Sequence, residues 1–200
     1  TPIGMTIGDG SLSGSLRLNG AAATPTLDTA LDVKKLDLGK TLADMGVTDL
    51  VYGTINTKLD LKGQGGDLRT LLGSLNGKTD ILMGEGRIKS EALDVWIGGA
   101  TAFLSKLVAG NKPEYTVINC FVNSIDFKSG VGTIGTGLFD IEYATIKAGG
   151  DFNLKTEGLN LTIDPQPKSA TINTAVPVKI GGTFLKPSYT LDPLATARKA

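Results

Sequence analysis

The chain has 200 residues, 20 Lys plus Arg against 20 Asp plus Glu, and no histidine. Zero net charge without a basic stripe argues against nucleic acid as a partner, and the missing imidazole removes the commonest general base and metal ligand. A 40% hydrophobic content suffices for a real core, whereas 6% aromatics argue against an outer-membrane barrel with aromatic girdles.

Two short strands open the chain, at residues 5–7 and 11–18, joined at Gly8-Asp9-Gly10, with a turn signal at Asn19-Gly20. The alternation in the second is loose. A third strand follows at 26–36. At 38–45 the period changes: Leu38, Leu42 and Met45 share a helical face, and Gly46 ends it. The clearest strand is 51–62, where Val51, Ile55, Leu59 and Leu61 alternate with Thr54, Asn56, Lys58, Asp60 and Lys62. Successive strand side chains point to opposite faces, so one face is apolar and one solvated. Gly63-Gln64-Gly65-Gly66 breaks that strand, and Asp67 caps a short helix carrying Leu68, Leu71, Leu72 and Leu75. Asn76-Gly77 ends the helix.

A strand at 79–83 reaches a turn at Gly84-Glu85-Gly86, then residues 87–89 extend again. The longest helix is predicted from about residue 91 to 109, with Leu93, Ile97, Ala100, Leu104 and Leu107 as its stripe and Trp96, Phe103 and Val108 widening it. From Tyr115 on, the pattern is almost all strand. Tyr115, Val117, Phe121, Ile125 and Phe127 share one parity while Ile118, Cys120 and Val122 take the other, which predicts a strand covered on both faces. A meander is predicted through 133–134, 137–147, 151–156 and 159–163, with turns at Ser129-Gly130, Gly149-Gly150 and Glu157-Gly158. Asp164-Pro165-Gln166-Pro167 reads as a break, 170–173 and 176–180 as the last strands, and 186–193 as an extended exit. No βαβ alternation appears. The fold class is therefore α+β, mainly β: a large curved antiparallel sheet, forming a groove or trough, with about three short helices at one end or on one face.

Nothing in this pattern supplies catalysis. Gly63-Gln64-Gly65-Gly66 lacks the Gly-Lys-Ser/Thr ending of a phosphate loop, and the glycine run from Gly130 to Gly137 leads into a strand. Asp9, Asp28, Asp32, Asp60, Asp140 and Glu142 are scattered along strands, as on a solvated polar face. No serine sits in Gly-x-Ser-x-Gly, and no loop has calcium-binding spacing. The lone Cys120 lies in a strand and reads as a buried, inert thiol. No catalytic residue, metal or cofactor is expected. No apolar stretch reaches the about 18 residues that span a bilayer, and the opening Thr1-Pro2-Ile3 without Met reads as an excised soluble fragment.

Three stretches resemble the C-terminal region of the AsmA family of bacterial envelope proteins. One runs from Leu59-Asp60-Leu61-Lys62 through Gly63-Gln64-Gly65-Gly66-Asp67-Leu68 to Asn76-Gly77. Another is Gly86-Arg87-Ile88-Lys89, leading into the Trp96 helix. The last runs from Ile118-Asn119-Cys120 through Phe127-Lys128-Ser129-Gly130 and Gly149-Gly150-Asp151-Phe152 to Pro165-Gln166-Pro167-Lys168, with the closing Pro177-Val178-Lys179-Ile180 and Lys186-Pro187 also similar. The resemblance covers about residues 50–193, departs from the family at Gly98-Gly99, and reaches residues 1–50 only in style. The chain is thus expected to be one periplasmic domain or a fragment of a larger AsmA-like protein, with N-terminal strands and a short helix over 1–50 and the family-like region over 51–193.

The resemblance implies a non-enzymatic periplasmic module, attached to the inner membrane through a segment outside this chain, that supports phospholipid transport and outer-membrane integrity. Its implied partner is a phospholipid acyl chain or another envelope lipid held in an apolar groove. The candidate groove residues are Val51, Ile55, Leu59, Leu61, Phe121, Ile125, Phe127, Phe139, Ile141 and Tyr143. The same residues also suit packing against the three helices, so trough and ordinary core both stand at this point. The alternative function is a structural module that docks envelope proteins through an exposed strand edge.

Overall fold

The computed structural model describes residues 2–21, 23–46, 50–96, 113–168 and 176–192. The described residues form one open, curved sheet of eleven strands, each hydrogen-bonded to its sequence neighbours and all antiparallel. In order these are β1 (Pro2–Ile7), β2 (Gly10–Asn19), β3 (Thr26–Asp37), β4 (Val51–Gln64), β5 (Asn76–Lys89), β6 (Tyr115–Lys128), β7 (Val131–Ile141), β8 (Ala144–Asn153), β9 (Leu159–Pro167), β10 (Val178–Gly182) and β11 (Pro187–Leu191). Three short helices interrupt the meander: α1 (Leu38–Asp44), α2 (Leu68–Leu72) and α3 (Ser90–Trp96).

The helices occupy both ends of the sheet. α1 joins β3 to β4 and α3 joins β5 to β6 at one end, whereas α2 joins β4 to β5 and so sits at the opposite end. Antiparallel order forces this, because successive connections must alternate ends. Each of the first two helices starts on an aspartate. The Asp37 side chain accepts from the Lys40 amide at 2.9 Å. Asp67 accepts from the Thr70 amide while the Thr70 hydroxyl bonds back to the Asp67 amide, a reciprocal capping box.

Several predicted breaks are absorbed into strands. Asn76-Gly77 begins β5, and Gly84-Glu85-Gly86 is no turn: β5 runs through it, and its register with β4 shifts there, as at a β-bulge, while its register with β6 holds. A shift at Asn119 reverses the parity of β6, so Ile118 and Phe121 share a face and Val117 points the other way, 46% exposed. β6 is therefore not covered on both faces, contrary to the expectation from parity. The predicted strand at 137–147 is two strands, folded back at the two-residue turn Glu142-Tyr143. Gly149-Gly150 lies inside β8.

Pro165 and Pro167 stand inside β9, opposite Ile146 and Ala144 of β8. The Lys168 amide donates toward β8, to the Tyr143 carbonyl. Amides alternate sides along a strand, so the two proline nitrogens face away from β8, where no ladder bond is lost. The exit at 187–191 is paired, as β11 on β10. The predicted strand at 170–173 and helix residues 97–109 lie outside the described residues.

The core gathers where α3 lies on the sheet. Met83, Ile88, Ala92, Leu93, Ile118, Ile141, Ala144, Ile146 and Val178 form one buried cluster. Ser90 and Thr116 are buried beside it and hydrogen-bond each other at 2.9 Å. That bond removes the penalty of two unpaired hydroxyls in an apolar setting.

Candidate functional site: an apolar face across eleven strands

Register sorts the whole sheet into two faces. One unbroken row of paired residues crosses all eleven strands: Ile3, Gly14, Leu31, Leu59, Thr79, Ile125, Ile134, Gly150, Leu161, Ile180 and Tyr189. Thr79 and Tyr189 are its polar-tipped members. The adjoining row on the opposite face runs Gly4, Ser13, Asp32, Lys58, Asp80, Ser124 and Thr136 across β1 to β7. The period-two alternation of each strand, held in register, thus becomes two chemically distinct surfaces.

The ten candidate groove residues fall into two groups. Ile141 is fully buried in the core cluster, and Val51, Ile55, Phe121, Phe139 and Tyr143 pack against that cluster near α3. Phe121 and Phe139 meet edge to face at 6.0 Å. This group packs in or against the core. Leu59, Leu61, Ile125 and Phe127 lie farther along the same face, outside the cluster and half-buried. Their face continues past them to both edges. Met5, Leu16 and Leu18 carry it over β1 and β2, and Tyr189 and Leu191 carry it over β11; Leu18 is 72% exposed and Leu191 66%.

The aromatic end of the face lies toward α2. Phe127, Gly132 and Phe152 are successive register partners on β6, β7 and β8. Phe152 lies over Gly132 so closely that an added Cβ there would stand 2.5 Å from the ring. The Phe152 ring meets Phe127 at 5.9 Å and Phe184 at 6.0 Å, both edge to face. Gly77, opposite Phe127 in β5, has φ of +129° and no room for a Cβ against the Asp60 carbonyl. Only glycine fits that kinked, close-packed position.

On the β1–β3 portion the candidate groove left out Leu12, Leu16, Leu18, Leu27, Leu31 and Val33, all on the apolar face. The signal was present in the alternation of Leu12, Leu16 and Leu18 with Ser11, Ser13, Ser15 and Arg17. Gly14 occupies the one apolar-face position between them that lacks a large side chain.

The polar face uses its carboxylates structurally. Asp28 pairs with Lys62 at 3.6 Å and Asp32 with Lys34 at 3.5 Å. Asp140 receives the Thr145 hydroxyl, the Asn119 amide at 2.8 Å and the Lys168 ammonium at 2.9 Å. Those donors, the Thr145 hydroxyl foremost, hold its carboxyl down at about 2. Among the described residues no group of three His, Cys, Asp or Glu side chains is placed to hold a metal ion. Cys120 is half-buried instead of buried, on the polar face. A small apolar island, Leu82 paired to Val122 and Val122 to Leu138, interrupts this face and borders a cleft of about 570 Å³. No described helix is long and apolar enough to cross a membrane, which says nothing of strands.

The AsmA family profile matches residues 1–136. An AsmA family protein, YhjG of Escherichia coli (strain K12), is 25% identical over 187 residues, covering 93% of this chain. The chain spans about a quarter of that relative's length, 27%. No solved structure matches.

Proposed function

Because this chain belongs to the AsmA family, an envelope protein family, we propose that it is a non-enzymatic envelope module that shelters phospholipid acyl chains on its apolar face, in support of lipid movement between inner and outer membrane. The observation that supports this reading is the eleven-strand apolar row, whose members other than the buried Thr79 stay partly or fully exposed. A face consumed by the protein's own core would be buried along its whole length. Each methylene sheltered there contributes about 0.8 kcal/mol, so a fatty tail needs no charged or catalytic group to be held. On this reading the module is periplasmic and its parent is anchored to the inner membrane.

The test is a hydrophobic-dye titration together with native mass spectrometry after gentle purification. Wild-type protein is expected to bind the dye and to carry lipid. Ile125→Lys and Leu59→Lys, at half-buried positions outside the core cluster, should abolish both and leave the far-UV spectrum unchanged. Retained dye binding and lipid in both variants would end the proposal. A second reading, docking of an envelope protein by strand addition, draws on β1 and β11, which pair on only one side among the described residues and are almost wholly exposed. Capture of an envelope protein with no lipid bound would favour it.

A further inference from the structure

We propose that Arg87, braced between Tyr52 and Tyr115, is a binding site for a phosphate-bearing anion on the polar face of the sheet. Tyr52 and Arg87 are direct partners across β4 and β5. Tyr115 stands diagonal to Arg87 on β6, two residues from its partner Val117. Their strand neighbours Val51, Ile88 and Thr116 point into or against the core, so these three side chains emerge together on the other face. The central carbon of the guanidinium lies 4.6 Å from the Tyr52 ring centre and 4.9 Å from that of Tyr115. The two rings meet edge to face at 5.9 Å.

This arrangement fixes the cation without neutralising it. Arg87 is exposed, and no ion pair to a carboxylate engages it among the described residues. A planar guanidinium lies flat on at most one of two rings inclined at 69°, but it carries five N–H donors, more than two ring contacts engage, and the remaining edge matches two oxygens of an oxyanion. The side chain is already ordered by the rings, so little further freedom is lost on binding. Burial and the hydrogen bond to Tyr52 push the Tyr115 phenol above its ordinary value, so the ring beside the guanidinium stays neutral. Phosphate-bearing oxyanions are among the groups that an arginine fork engages with two parallel N–H bonds. Of the charges near Tyr115, Lys89 reinforces an anion and Glu114 opposes it.

A phosphate of this kind is either a lipid headgroup or a soluble phosphomonoester. Two probes separate them: phosphatidylglycerol vesicles in a flotation assay, and glycerol phosphate by titration calorimetry. Wild-type protein is expected to bind at least one. Arg87→Ala should weaken that binding on the order of tenfold, the loss expected for one charge-assisted fork. Arg87→Lys, which keeps the charge and loses the fork, should restore little of it. Tyr115→Leu, which leaves the arginine unbraced, should weaken it less. Loss confined to vesicles assigns a headgroup; loss confined to the soluble probe assigns a free phosphoester. Binding of neither probe, or equal binding by Arg87→Ala with an unchanged urea midpoint, overturns the site. The site does not rest on the acyl-chain reading: Ile125→Lys, on the opposite face, should leave it intact.

Discussion

Phe152 and Gly132 form a large-over-small pair whose energetics a double-mutant cycle resolves. Phe152→Ala removes a half-buried ring, roughly half of the about 3–5 kcal/mol lost from a fully buried phenylalanine. It also removes two edge-to-face contacts worth about 0.5–1.5 kcal/mol each. A total of about 4 kcal/mol follows. Gly132→Ala places a methyl group 2.5 Å from the ring, an overpacking of about 1–3 kcal/mol. The backbone at Gly132 is not left-handed, so alanine is strained there only by the ring. In the double variant the ring is gone, and the added methyl should be neutral or stabilise by about 0.5 kcal/mol, since glycine weakens a strand interior. The double variant should therefore be no less stable than Phe152→Ala alone, a coupling of about 2 kcal/mol. Urea unfolding followed by far-UV circular dichroism, with the slope checked for constancy, reads all four proteins. Losses that add to within about 0.5 kcal/mol would show that ring and glycine do not touch, and would refute the packing assigned to this end of the face.

Asp140 predicts an acid limb of stability. Its folded carboxyl sits at about 2 against an ordinary 3.8, so the folded state binds its proton less readily than the unfolded chain. The resulting stabilisation is complete above the ordinary value and is lost as pH falls from about 4 toward about 2. After discounting for solvent screening it amounts to about 1–2 kcal/mol; Asp140→Asn should flatten stability against pH across that window, and an unchanged profile would contradict the role of its three donors. Ile141→Ala, at a fully buried position in the α3-covered core, should destabilise by about 3 kcal/mol. Leu82→Ala, on the polar face at 49% exposure, should change stability by less than 1 kcal/mol. Comparable urea midpoints for these two variants would mean that the faces have been assigned the wrong way round.

Much of the strand content was readable because alternation survives in single strands such as β4, and Asp67 announces a helix start through its own chemistry. What strand periodicity could not carry was parity across an irregularity. One register shift at Asn119 moved Ile118 onto the core face, and the two-residue turn at Glu142-Tyr143 hid inside a run that looks continuous. Glycine and proline misled in the same direction. They commonly punctuate a chain, yet Gly149-Gly150, Gly84 and Pro165 lie within paired strands because curvature and an unladdered side tolerate them. The candidate groove was legible as a face but not in its division, since whether Val51 or Leu59 is covered depends on where α3 comes to rest. The clustering of Tyr52, Arg87 and Tyr115 was invisible for a related reason: it arises from lateral pairing of segments far apart in the chain.

The plain strand order has a geometric consequence. Strand order in the sheet follows chain order, so the width of the ribbon is a count: neighbouring strands stand about 4.8 Å apart, and eleven of them give a path of about 48 Å from the first strand to the last. A single hairpin added or removed would change that distance by about 10 Å without rethreading anything else. Reach in such an architecture behaves like a tape measure graduated in pairs of strands, and evolution can adjust it by duplication while the cross-section of the path stays the same.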